Sequence, residues 1–159
     1  MNVDPLNIRT SEKNSSLYLI DTNVISTTSP SQPSSALGLW LEARADRLFL
    51  SVVTVAEIES GIAKLRRTGR ITRAGALSDW LETLLHFYSG RILPVDFPVA
   101  WVAGLLTDHA RSQGQAPGFA DIVIAATAQH HRLTLLTRNL RHFEPLGIAV
   151  VDPFERLPG

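Results

Sequence analysis

The chain has 159 residues, and its 15 basic and 15 acidic side chains cancel. That length suits one domain with a full hydrophobic core, and the balanced charge argues against an overall basic surface, leaving only local patches for nucleic acid. The absence of cysteine excludes disulfides, thiolate metal sites and cysteine nucleophiles, so any metal is held by oxygen or imidazole.

Residues 1–16 are polar and lack the apolar stretch of a signal peptide. They read as a flexible N-terminal extension of a cytoplasmic protein, and no apolar run approaches the ~18 residues that would cross a bilayer. Leu17 to Ile20 is an apolar run fit for a strand buried on both faces. Asp21 ends it, where a strand hands over to a loop or helix. Either Asp21 simply caps a short helix from Thr22, or it is a functional carboxylate at the edge where open α/β sheets place ligands.

Residues 26–35, rich in Ser, Thr and Pro, form a loop. A helix follows at about Ser35–Ala45, with Leu37, Trp40 and Leu41 on one face. Arg47–Val53 is the second strand. Thr54 and Glu57 then have the spacing of a capping box, which by itself would account for Glu57. The helix they open runs through Ile58, Ile62 and Leu65, and another spans about Ile71–Tyr88 with Leu77, Leu81, Leu84 and Leu85 at helical spacing.

Arg91–Val95 is a third strand, and Pro94 points to an edge position. Asp96 caps a helix running from Phe97 to about Ser112. Phe119–Gln129 is apolar on nearly all faces, so this helix is buried. Its one charged residue, Asp121, lies in the first turn, where the helix dipole favours an acid. A lone acid in such a helix is costly without a partner, which marks Asp121 as functional. His130 and His131 would point apart on a helix and read as surface residues. Arg132–Thr137 is the fourth strand, Arg138–Phe143 a turn or short helix, and Ile148–Val151 a fifth strand.

Strands alternating with helices give an α/β fold: a mostly parallel sheet of four to five strands, in one domain over 17–154, with residues 155–159 as a tail. In a parallel sheet, strand ends and the helix starts that follow share one edge. Asp21, Glu57 and Asn139 fall on that edge, and Asp121 joins them if its helix begins there. Clustered carboxylates are tolerable when a divalent cation neutralises them. Mg²⁺ takes one or two protein carboxylates plus waters and phosphate oxygens, which suits phosphodiester hydrolysis.

The blocks Leu19–Ile25, Val53–Glu57, Asp121–Ala128 and Leu136–Asn139, in this order, resemble the four signature blocks of PIN-domain ribonucleases, and most nearly the VapC- and FitB-like toxins of bacterial toxin–antitoxin pairs. The segment Arg91–Ala100 also resembles its FitB-like counterpart. The resemblance implies a three-layer α/β/α domain and Mg²⁺- or Mn²⁺-dependent RNA cleavage. It carries Asp21, Glu57 and Asp121 onto the family's metal-binding acidic positions. Asn139 stands at the fourth, often Asp, which removes one charge and puts a second metal in doubt.

The resemblance also implies a homodimer and a small VapB/FitA-like antitoxin whose tail blocks the acidic pocket, with operator DNA bound only through that antitoxin and no membrane partner. Thr137 either orients a water or hydrogen-bonds a carboxylate, unless it is an ordinary strand-end threonine. Arg138, Arg141 and His142 are basic residues beside Asn139, and of these Arg138 and Arg141 flank the site as RNA contacts. Lys64, Arg66, Arg67, Arg70 and Arg73 read better as a solvated helix face. The alternative function is a catalytically weak RNA- or partner-binding module. A phosphatase ranks below both, because Asp21-Thr-Asn23 lacks the second aspartate of the Asp-x-Asp motif.

Overall fold

The fold begins from a strand that has no solvent-facing side. In the computed structural model, which describes residues 16–159, β1 (Tyr18–Ile20) is buried at every position. Tyr18 and Ile20 enter one hydrophobic cluster and Leu19 the other. Alternate side chains of a strand point to opposite faces, so a wholly apolar strand must be covered twice. The expected extension at 1–16 lies outside the described residues except for Ser16.

Five strands make the sheet: β1, β2 (Leu48–Ser51), β3 (Ile92–Leu93), β4 (Thr134–Leu136) and β5 (Val150–Val151). Their order is β3-β2-β1-β4-β5 and every pairing is parallel. Leu19 pairs with Phe49 on one side and Leu135 on the other. β3 is an edge strand, as Pro94 just beyond it requires.

The helices divide between the two faces. One cluster holds Leu37, Trp40 and Leu41 of α2 (Ala36–Ala43), Ile58 and Ile62 of α3 (Val52–Arg67), and Leu81 and Leu84 of α4 (Ile71–Phe87). The other holds Val99 and Leu106 of α5 (Phe97–Ser112) and Ile122 to Ala126 of α6 (Phe119–His130). The sheet therefore lies between two helical layers. The short α1 (Thr22–Ile25) and α7 (Leu140–Phe143) follow β1 and β4 directly. Asp96 caps α5 by accepting from the Val99 N–H.

Two local expectations fail. The capping box does not form. The strand stops at Ser51, whose hydroxyl accepts from the Val53 N–H and starts α3 at Val52. Thr54 is thereby turned inward and buried, and its hydroxyl finds no partner among the described residues. The second failure concerns His130 and His131. The helix ends at His130, His131 is its C-cap, and Arg132 takes a left-handed φ of 57°. That turn brings the two rings together, edge to face at 4.7 Å. His131 is partly buried, with its Nε2 sealed off and unpartnered among the described residues. Burial and the neighbouring His130 hold its imidazole below the usual histidine range.

Candidate active site

β1 and β4 lie side by side at the centre of the sheet, and the chain leaves them toward opposite edges. This is a topological switch point, where a crevice opens beyond the carboxyl ends of the strands. Asp21 ends β1 and Thr137 ends β4. The Asp21 N–H donates to the Leu136 carbonyl at 2.9 Å, which extends the ladder to the last residue before the crevice.

Asp21 is only 5% exposed. It does cap α1, accepting from the Thr22 N–H at 2.8 Å through Oδ1. Its other oxygen accepts from the Thr137 hydroxyl, also at 2.8 Å. Thr137 Oγ1 in turn accepts from the Asn139 N–H at 3.0 Å, and the Asn23 amide makes long contacts to both Thr137 and Asp21. The Asn23 carbonyl oxygen accepts from the Arg138 N–H at 3.2 Å. Side chains thus reinforce the backbone bond that ties the end of β4 to the start of α1. Of the readings open for Thr137, the structure gives the carboxylate partner.

Glu57 lies one turn into α3 and accepts from the Thr22 hydroxyl at 3.2 Å. Asp121 lies in the first turn of α6. That helix runs antiparallel to β4, which follows it, so its N-terminus arrives at the crevice. Asp121 Oδ2 is 2.9 Å from His142 Nδ1 on α7.

The electrostatics join the three acids. Burial pushes the Asp21 carboxyl above its ordinary range, the Thr137 and Thr22 hydrogen bonds pull it back, and the charge of Asp121 raises it further. Glu57 is also raised, first by partial desolvation, then by Asp21 and Asp121 against the pull of Thr22. The charge of Asp121 thus makes both Asp21 and Glu57 harder to ionise, and a cation beside them would relieve that repulsion.

Among the described residues, no three His, Asp or Glu side chains gather tightly enough to share a metal ion. The donor set nevertheless fits a hard cation that keeps several waters, because such an ion needs only one or two carboxylates. Asp21 and Asp121 would supply those, with Glu57 within electrostatic reach. His142 is 57% exposed and can leave Asp121 without disturbing the core.

Asn139 is exposed at the start of α7, and its side chain does not cap that helix. Arg138 is also exposed, its guanidinium over the Phe154 ring. Arg141 and His142 line a cleft of about 320 Å³ with Asp121 and Gly118. Of the other basic cluster, Arg66 pairs with Glu59 at 3.5 Å and bonds Ser78, as on a solvated helix face. Arg73 borders a separate groove that starts at Glu57 and runs between α3 and α4.

Sequence reasoning gave no role to Thr22 or Asn23 and saw in His142 only a basic neighbour. A polar pair directly after an acid that closes a buried strand is a usable signal. The His142–Asp121 contact has no local signature.

The chain matches known proteins over most of its length. The PIN domain family model matches residues 18–146. Toxin FitB of Neisseria gonorrhoeae is 37% identical over 140 residues, spanning 87% of this chain and 99% of FitB. The VapC ribonuclease Y4jK of Sinorhizobium fredii is 34% identical over 141 residues, with the same 87% and 99% coverage. The solved structure of FitAB bound to an IR36 DNA fragment superposes with a TM-score of 0.77 at 35% identity, covering 87% of this chain and 96% of that one. With its sheet order, its acids at the switch point and its matched residues all in agreement, the chain belongs to the PIN domain family.

Proposed function

We propose that the chain is a metal-dependent ribonuclease and the toxin of a VapBC-like pair, held inactive by a small VapB/FitA-like antitoxin. The observation that carries this reading is the placement of Asp21, Glu57 and Asp121 around the crevice between β1 and β4, close enough for the charge of Asp121 to bear on the other two. The relatives named as a toxin and a ribonuclease support it, and the complex of FitAB with DNA supports an antitoxin that carries any operator contact. No helix among the described residues is long and apolar enough to cross a membrane; a cytoplasmic location is part of the proposal.

In this mechanism Asp21 and Asp121 would hold Mg²⁺ or Mn²⁺, and Glu57 would complete the acidic surround. When bound, the ion supplies an activated water and screens the charge that develops on the phosphate. Thr137 keeps the Asp21 carboxylate aimed into the crevice, and Asn23 keeps Thr137 and the Arg138 backbone in register with it. Arg138 and Arg141 draw the RNA backbone to the cleft. Asn139 offers a neutral oxygen where a fourth acid would add charge.

Purified protein free of antitoxin should cut end-labelled total RNA in Mg²⁺ or Mn²⁺ and not in EDTA. A folded protein that binds RNA yet leaves it intact in either metal would instead establish the catalytically weak module that the neutral Asn139 favours.

The active unit spans 17–154 and works as a homodimer. Phe97, Trp101 and Leu105 recur at four-residue spacing on α5, are 76%, 63% and 62% exposed, and form a continuous apolar stripe. Such stripes on soluble domains mark association surfaces. A second copy meeting this face would centre on Trp101, the residue type that most often dominates interfaces. Trp101→Glu should shift the protein from dimer to monomer in sedimentation and weaken self-association by about 30-fold or more. An unchanged dimer would move the interface elsewhere.

A further inference from the structure

The C-terminal segment carries an aromatic ring to the guanidinium of Arg138. The guanidinium carbon of Arg138 lies 3.6 Å from the centroid of the Phe154 ring, the separation of stacked planes. The ring is held from several directions. Pro153 is buried, and the Phe154 N–H donates to the Asp152 carboxylate at 2.9 Å. Phe154 packs against the cluster that contains Tyr18 and Leu136. Further along, the Pro158 carbonyl accepts from the Trp40 indole N–H at 3.1 Å. The Arg138 backbone is tied to Asn23, so both ends of this residue are fixed.

The surroundings make that fixation informative. Arg138 shares a cleft of about 380 Å³ with Glu144, Asp152 and Glu155. An arginine free to choose would pair with one of these acids. Among the described residues it makes no such ion pair and lies on the ring instead. Its charge is left available, and its long side chain has already lost the rotamer freedom that binding would otherwise cost.

We propose that Phe154 is a positioning residue for RNA binding: it holds the Arg138 guanidinium away from the neighbouring acids and presents it to a backbone phosphate beside the one cleaved. This role rests on the ribonuclease reading above. It places the C-terminal segment in substrate recognition, although that segment follows the last strand and contributes no acid to the crevice.

The test is a double-mutant cycle on the full chain. Affinity for a short fluorescent single-stranded RNA is measured in EDTA across a salt series, with steady-state cleavage in Mg²⁺ alongside. Phe154→Leu, which keeps an apolar side chain but removes the ring face, should weaken binding about fivefold and raise KM with little change in kcat. Phe154→Tyr should bind as the wild type does. Arg138→Ala should weaken binding and lower the salt slope by about 0.7, one phosphate contact on a single strand. In the Arg138→Ala background, Phe154→Leu should cost nothing more.

An equal loss from Phe154→Leu in both backgrounds would make Phe154 merely structural and overturn the proposal. So would no loss in either, or a failure of Tyr to substitute. Failure of the ribonuclease reading looks different: RNA that is bound in EDTA but left uncut by the wild type in metal.

Discussion

Asp121→Asn should abolish RNA cleavage while leaving the fold and RNA binding in place. The substitution keeps size and shape but removes a charge from the first turn of α6. The helix dipole loses a favourable partner worth about 0.3–1 kcal/mol. Against that, the repulsion Asp121 exerts on Asp21 and Glu57 is relieved. These effects oppose each other, so the melting temperature should move by only a few degrees. Activity has no such compensation. Loss of a ligand that anchors the ion should lower cleavage by about three orders of magnitude, or roughly 4 kcal/mol of transition-state stabilisation. The checks are a gel assay in Mg²⁺ and Mn²⁺, thermal melting, and RNA affinity in EDTA. Cleavage at more than a tenth of the wild-type rate would remove Asp121 from the metal site.

Thr137→Val should have the largest effect on stability of any substitution near the site. Valine matches threonine in shape, so little packing is lost. The hydroxyl, however, donates to a buried carboxylate and accepts from the Asn139 N–H. Removing it leaves Asp21 short of a donor, at a cost of about 1–3 kcal/mol. The effect should depend on pH, and the sign follows from linkage. The Thr137 bond lowers the pKa of an acid that burial raises. Without it the folded-state pKa rises further above the unfolded value, which penalises the ionised form. The destabilisation is therefore greatest at the high-pH end, where the ionised form dominates, and shrinks as acid protonates the carboxyl in both proteins. Melting curves from pH 8 down to about 4, the ordinary carboxylate range, would show it. Thr137→Ser should restore most of the loss. A pH-independent difference would mean that Thr137 acts through packing alone.

Much of this architecture was legible because burial leaves a strong local mark. Leu17–Ile20 and Phe119–Gln129 are apolar without alternation, which signals a strand and a helix covered on all sides. An acid next to or within such a run is conspicuous, and so Asp21 and Asp121 stood out. Glu57 was harder to read. Its spacing from Thr54 imitates a capping box, and only the fold reveals that Ser51 starts the helix three residues earlier and that Thr22 is the partner of Glu57. The His142–Asp121 and Arg138–Phe154 contacts depend on how α7 and the C-terminal segment settle against the sheet. They join residues whose separation in the chain carries no period and no motif. The exposed stripe on α5 was present as a helical pattern, but periodicity alone does not say whether an apolar face meets the core or the solvent.

The pairing of β1 with β4 has a consequence for when the protein becomes dangerous to the cell that makes it. The bond between Asp21 and Thr137 closes a loop of 116 residues. A nascent chain emerging from the ribosome can form β1, β2 and the helices between them long before β4 has been translated. During that interval it carries Asp21, Glu57 and later Asp121, but not the strand end that locks the first of them. Closure of so long a loop comes late in assembly. Cutting power would therefore appear only once β4 has been made, which gives an inhibitor already present in the cell the chance to meet each new molecule at that point.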